Sequence, residues 1–371
     1  MIKVLFTVDY EIHGNGDGCP FRLMVEPTRR NLDTFDEYGA KLTIMADVAE
    51  ILKFREYREE TGQDRYHYQA IDQQLRDAIA RGHDVQLHLH CSYFNATNKA
   101  GEWSQDWSEY NFAGLPEDRI SEVLGIGKEY LESTLREVDP SYDCDVFRAA
   151  NWAMQPSPAA VRALLRNGFR IDTSVFKYGK REGLVEFDYS EAFSEVLPWP
   201  AAEEDVCKVD KESSLLEYPI YCEERPLAAF LTPERVYRAL VSRRHRMPGG
   251  VLTSPEGQGS PGPVRSGGPF GRVLDKFSRQ HAWKADYNQC SGRQLVKALE
   301  RAEEATADAP GPVPFVLIGH SKLFTRFNER RLRPFLEFVK SNPDRFSFGT
   351  FSDFETEGKA RNPEAVLGNH N

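Results

Sequence analysis

The chain of 371 residues has no CxxC pair among its six cysteines, no apolar run long enough to span a bilayer and no extended basic stripe. Each absence excludes something. Cys19, Cys91, Cys144, Cys207, Cys222 and Cys290 are scattered, and a chain this long needs no disulfide framework, so buried free thiols in a reducing compartment are expected. Without a membrane-length run, stable membrane insertion is not expected. A net charge of −10 disfavours a nucleic-acid partner, which would need clustered Lys and Arg. The one short basic cluster, Arg243-Arg244-His245-Arg246, reads as a solvated helix end. Met1 to Phe6 leads straight into a strand and lacks the shape of a signal peptide, which points to a cytoplasmic protein. A glycine-rich phosphate turn is also missing, since Gly14-Asn15-Gly16-Asp17-Gly18 opens no apolar helix and reads as a flexible loop.

What is present is a globular composition with short apolar runs alternating with helical patterns. Strands are predicted at Lys3–Val8, Lys41–Met45, Asp84–His90, Cys144–Arg148, Arg170–Val175, Leu215–Ile220, Pro314–Ile318 and Arg345–Thr350. Helices are predicted at Asp72–Arg81, Pro116–Val138, Ser157–Asn167, from Thr232 onward, at Gln294–Ala305 and at Arg330–Lys340. Such alternation means parallel strands covered by helices, in an open doubly wound sheet or a closed barrel. Polar placement favours a distorted (β/α) barrel. Asp9, Glu11, His88, His90, Arg148, Asp172 and His320 all fall at or just after the C-terminal ends of predicted strands, which converge on one face of a barrel. An open sheet would gather its site at one switch point.

The expected organisation is one α/β barrel domain over residues 1–355, with insertions at 96–114 and 249–271 and a tail at 356–371. The first insertion carries Trp103, Trp107, Tyr110 and Phe112. It reads either as a loop pinned to the barrel or as an aromatic wall for sugar rings. The second is rich in Gly, Pro and Ser and reads as mobile.

The chemistry sits at strand ends. Alternate residues on a strand face one way, so His88 and His90 share a face, a spacing suited to one metal ion. Asp9 and Glu11 share a face likewise. Two close carboxylates ionise together only beside a cation, so one suits a metal and the other the proton of an attacking water. Cys91 points away from that face. Arg148 is placed either to orient Asp9 or to form a structural ion pair. Asp172 is placed to orient a histidine. His320 follows an apolar strand and a flexible glycine and suits a general acid, or less readily a third metal ligand. His83 reads as a capping or packing residue.

Five segments resemble, in order, the five motifs of the polysaccharide deacetylases (carbohydrate esterase family 4). They are Thr7-Val8-Asp9-Tyr10-Glu11, Gly82-His83-Asp84-Val85-Gln86-Leu87-His88, Phe147-Arg148-Ala149-Ala150-Asn151-Trp152, Ile171-Asp172-Thr173-Ser174-Val175 and Leu317-Ile318-Gly319-His320. The resemblance implies a barrel of about seven strands and one divalent metal, most often zinc. It implies Asp9 as base, Glu11, His88 and His90 as ligands, Arg148 orienting the base and His320 as acid. Asn151, Trp152 and Tyr10 are the expected substrate contacts. Two positions depart from the pattern. Ser92 stands where the family's second metal histidine falls, with His90 two residues earlier. Tyr10 replaces the second aspartate of the first motif, with Glu11 following.

The expected function is metal-dependent removal of an N-acetyl group from a sugar, as a small molecule or oligosaccharide. The expected compartment suggests a cytoplasmic intermediate of surface-polysaccharide synthesis. A sugar-binding protein without catalysis and a hydrolase of small non-sugar amides remain open alternatives.

Overall fold

The computed structural model describes residues 1–12, 18–99, 101–237 and 280–354. Nine strands build the main sheet: β1 (Ile2–Tyr10), β2 (Leu42–Asp47), β3 (Asp84–Leu89), β4 (Val146–Ala149), β5 (Ile171–Asp172), β6 (Trp199–Pro200), β7 (Leu216–Glu217), β8 (Val313–His320) and β9 (Phe346–Phe348). Their order is β6-β7-β5-β4-β3-β2-β1-β8, with β9 paired to the start of β1. All pairings are parallel except β6 with β7. The sheet curls until its ends meet. Just past β7, Ile220 bridges Val316 of β8, and the Tyr221 N–H donates to the Val316 carbonyl at 3.0 Å. The ring β8-β1-β2-β3-β4-β5-β7 is the distorted α/β barrel that the alternation predicts.

Helices α1 (Glu26–Tyr38), α2 (Val48–Thr61), α3 (Tyr68–Ala80), α4 (Glu117–Leu135), α5 (Ser157–Arg166), α6 (Gly292–Ala305) and α7 (Arg326–Lys340) cover the outside. Helices α6 and α7 begin at capping boxes on Ser291 and Thr325. Helices α1 and α2 are additions to the predicted set. Helix α1 carries Pro27 and Glu26 in its first turn and Gly39 past its end, and α2 starts directly from Asp47 at the end of β2 and stops at Gly62. At Thr232 the hydroxyl accepts from the Arg235 N–H at 3.2 Å, as an N-cap should, and that helix then leaves the described residues. The segment 249–271, the basic cluster 243–246 and the tail 356–371 also lie outside them.

Strand alternation sorts the core into two. Val4, Phe6, Val8 and Tyr10 of β1 face the helices. Leu5 faces inward with Met45, Val146, Ile171, Tyr218, Val316 and Phe351, an apolar plug that floors the barrel. Above the plug the inward positions turn polar. In the 96–114 insertion, Trp103 packs on Tyr66 with ring centroids 5.4 Å apart, and Phe112 on Phe147 at 4.8 Å. These two rings pin the segment to the barrel rather than line a cleft.

Phe6 holds the outer core together, with ring centroids 4.4 Å from Phe35, 5.6 Å from Tyr287 and 6.0 Å from Phe335. Phe6→Ala removes that ring from a site with no solvent access. The expected loss is about 3–5 kcal/mol, read as a lower urea midpoint with an unchanged slope.

Candidate active site

At the C-terminal mouth of the barrel, inward residues of β1 and β3 meet. Glu11 Oε2 stands 3.4 Å from His88 Nε2 and 2.6 Å from His90 Nε2. The ligand atoms of Glu11, His88 and His90 all lie within 4.8 Å of one another, and all three residues are buried. No well-formed hydrogen bond reaches Glu11 Oε2. The His88 Nδ1 is 2.9 Å from the Arg148 carbonyl. A carbonyl only accepts, so Nδ1 carries the hydrogen and Nε2 of the neutral ring presents its lone pair to the cluster. Lys322 holds the other Glu11 oxygen at 3.1 Å and the Ile12 carbonyl at 2.7 Å. One carboxylate oxygen and two imidazole nitrogens, each positioned from behind, fit a divalent cation.

Charges are sorted around this cluster. Burial would raise Glu11, but Lys322, His90 and His88 hold it well below the usual carboxylate range. Burial disfavours charge on His88, yet Glu11 and Asp9 outweigh it and hold the ring up to about 9. Behind His90, Asp47 accepts its backbone N–H at 3.1 Å. Asp47 and Glu50 are both buried. Burial pushes both up, Glu50 to about 8 with added repulsion from Asp47.

Asp9 lies beside the cluster. Arg148 Nη1 donates to Asp9 Oδ1 and to Thr7 Oγ1, each at 2.8 Å, and its Nε donates to the Thr173 carbonyl at 2.9 Å. Burial raises Asp9, and Arg148, His88 and His320 bring it below its ordinary value. His320 is the register partner of Asp9 on β8, with Nε2 3.7 Å from Asp9 Oδ2. Its backbone N–H is held by Asn288 Oδ1 at 2.6 Å, and burial lowers its pKa. Gly319, read from sequence as a flexible hinge, lies inside β8. A Cβ there would fall 2.3 Å from the Tyr287 ring, so the glycine serves close packing.

Two expected site residues fall elsewhere, and strand parity explains both. Asp172 pairs in register with Phe147, an outward residue, whereas Ile171 faces the inner plug. Its carboxylate takes the Ser174 hydroxyl at 2.6 Å and neighbours Glu217. It does not orient His320. Burial, then mutual repulsion at Glu217, pushes both carboxyls up. Tyr10 lies between two inward carboxylates and therefore faces out, its hydroxyl on Gln74 at 2.8 Å. It is no substrate contact. Ser92 bonds Gln105 at 2.7 Å, away from the cluster. His83 accepts the Leu42 N–H at 3.2 Å and is pushed down to about 4 by burial, in keeping with a packing role.

A cavity of about 270 Å³ opens above, lined by Asp9, Glu11, His88, His90, Asn151, Trp152, His320, Lys322 and Leu323. Asn151 and Trp152 adopt left-handed backbone, with φ of 55° and 59°. Such non-glycine strain costs about 1–3 kcal/mol per residue and gathers at functional sites. Tyr189 donates its hydroxyl to the Trp152 carbonyl and helps hold the turn. Sequence reasoning missed Lys322, Thr7, Thr173 and Asn288. Of these, Lys322 lies in the helical turn Ser321–Leu323 that follows β8, where strand alternation no longer applies.

The site is thus a carboxylate–bis-imidazole cluster beside an arginine-held aspartate, at the mouth of an α/β barrel. No protein-family model and no curated protein matches the chain. Solved structures are similar to it over most of its length. A GH57-type branching enzyme from the hyperthermophilic archaeon Pyrococcus horikoshii is 11% identical with a TM-score of 0.50, over 96% of this chain and 70% of the other. A probable polysaccharide deacetylase from Pseudomonas aeruginosa PAO1 is 15% identical with a TM-score of 0.46, over 98% and 92%. A family 4 acetyl xylan esterase from Clostridium thermocellum, solved with a cobalt ion, is 12% identical with a TM-score of 0.37, over 98% and 96%. At 11% identity the likeness to the branching enzyme is one of fold alone.

The proton on His88 sets a pH dependence for cation uptake. Below about 9 the ring is protonated, and a cation at Nε2 must displace that proton. Zinc affinity should therefore fall as pH drops, by roughly tenfold per unit for one proton, and level off above about 9. Competition with a chromophoric chelator across this range checks it, and a flat profile would contradict it.

Proposed function

We propose that the chain is a metal-dependent amidohydrolase that removes an N-acetyl group from a sugar. One observation carries this reading: Glu11, His88 and His90 converge in the same cavity as the Arg148-held Asp9 and His320. Glu11 Oε2 and the Nε2 atoms of His88 and His90 would hold a divalent ion, and zinc suits that donor set best. Bound there, it would supply a polarised acyl carbonyl and a more acidic water.

The remaining work belongs to the chain's own groups. Asp9 stays ionised because Arg148 faces it. Arg148 occupies Oδ1, which leaves Oδ2 to take the proton of the attacking water. His320 Nε2 lies next to that oxygen. Its burial lowers its hold on a proton, which suits delivery to the departing nitrogen as the C–N bond breaks. Without that proton the leaving group would be an amide anion, far too basic to depart readily. The indole of Trp152 offers a flat apolar face for a sugar ring. The cavity volume sits near the lower end of the roughly 300–1,000 Å³ of small-molecule sites.

No helix among the described residues is long and apolar enough to cross a membrane. All six cysteines are free and five are buried, in keeping with a reducing compartment. We propose further that the substrate is a cytoplasmic intermediate of surface-polysaccharide synthesis.

Two measurements test the reading together: acetate released from a panel of N-acetylated sugars, and metal content before and after chelation. His320→Ala should lower kcat by about 10²–10⁴-fold and leave zinc content unchanged, whereas Glu11→Gln should lower zinc content itself. A zinc-loaded protein that releases no acetate from any member of the panel would overturn the proposal.

A further inference from the structure

The candidate metal cluster has an ammonium built into its wall. Lys322 lies in the helical turn Ser321–Leu323 and lines the cavity. Its Nζ donates to Glu11 Oε1 at 3.1 Å and to the Ile12 carbonyl at 2.7 Å. The shorter contact does not involve Glu11, so the ammonium has a separate anchor. That anchor is itself held, since the Ile12 N–H donates to Glu50 Oε2 at 2.8 Å. The Phe324 N–H closes the turn on the Ser321 carbonyl at 3.1 Å, and Arg30 Nη1 reaches the Phe324 carbonyl at 3.3 Å. The fold itself therefore places the lysine beside Glu11.

The two oxygens of Glu11 have different surroundings as a result. Lys322 takes Oε1. Oε2 has no well-formed hydrogen bond and stands 2.6 Å from His90 Nε2 and 3.4 Å from His88 Nε2. A carboxylate can ligate a divalent ion through one oxygen or through both, and here one of them is already engaged. Charge also opposes tight binding. Histidines ligate as neutral rings, so Glu11 alone among the three donors supplies negative charge, and the ammonium offsets it. The other acid lining the cavity, Asp9, is matched by Arg148 at 2.8 Å. An ammonium repels a divalent ion directly as well. With the Lys322 side chain 22% exposed and that of Glu11 5%, salt screens this repulsion only weakly.

We propose that Lys322 confines Glu11 to one-oxygen coordination of the metal and lowers the affinity of the site for it. The proposal rests on the metal-dependent reading of the cluster and adds how firmly, and through which atoms, the ion is held. Three single donor atoms leave coordination positions open for water and an acyl oxygen. A donor set whose one negative charge is offset also leaves more of the ion's charge to polarise them. Lys322 is a positioning residue, since it acts through Glu11. Its expected effect has a sign that damage to the fold would not produce: removing a mere brace would loosen the metal, whereas removing this ammonium should tighten it.

The test is zinc affinity at fixed pH without substrate, by competition with a chromophoric chelator, together with a crystal structure of the zinc-loaded native protein. Lys322→Met should bind zinc about tenfold more tightly than the native protein. Lys322→Arg, which keeps the charge, should stay within about threefold of it. In the zinc-loaded structure only Glu11 Oε2 should lie at the ~2 Å of a zinc–oxygen bond, with Oε1 still on Lys322. Unchanged or weaker zinc binding by Lys322→Met overturns the proposal, and so does a zinc ion bound by both Glu11 oxygens in the native protein. If Lys322→Met fails to fold, the zinc-loaded native structure decides. Tighter zinc binding by Lys322→Met, with no acetate released by the loaded native protein from any N-acetylated sugar, leaves this inference standing and removes the deacetylase reading. Acetate release by a native protein whose zinc affinity Lys322→Met does not raise does the reverse. Failure of both proteins to take up zinc overturns both.

Discussion

The site depends on one buried guanidinium. Arg148 has no solvent exposure, and bringing such a charge into a core costs several kcal/mol unless its hydrogens are met. Here they are met by Asp9, by the Thr7 hydroxyl, and by the carbonyl and hydroxyl of Thr173. These contacts tie β4 to β1 and to the end of β5. The same residue's carbonyl faces His88 Nδ1. A single position therefore fixes the charge of the expected base and the tautomer of an expected ligand. Lysine could not do this, since it lacks the planar fork that reaches two walls at once.

Neighbouring cations divide the buried acids into two groups. Burial would raise every one of them. Asp9 and Glu11, facing Arg148 and Lys322, end below their ordinary values. For Asp47, Glu50, Asp172 and Glu217 burial outweighs the cations in reach, and they end above theirs. The first pair can accept a proton or a cation.

Much of this was legible in the sequence because β1, β3, β4 and β8 are governed by alternation. Once the apolar run of β1 marks its buried face, Asp9 and Glu11 must share a side, and His88 and His90 follow by the same rule on β3. The rule fails where a strand is too short to show its phase. Strand β5 has two paired residues, and only its register against Phe147 and Glu217 shows that Asp172 faces the helices. On the long strand β1 the same parity turns Tyr10 outward, onto Gln74. Helices α1 and α2 end at Gly39 and Gly62, stop signals that the sequence offered.

The barrel has a seam. From β8 through β1, β2, β3 and β4 the ladder is continuous, and every residue expected to touch the reacting atoms hangs from that arc. Between β7 and β8 the ring is joined by the isolated Ile220–Val316 bridge, and beside it residues 285–287 link Tyr221 to Ile318 of β8. The closure is thus made of short bridges, whereas the spacing of acid, base and ligands is set by unbroken backbone pairing on the opposite arc.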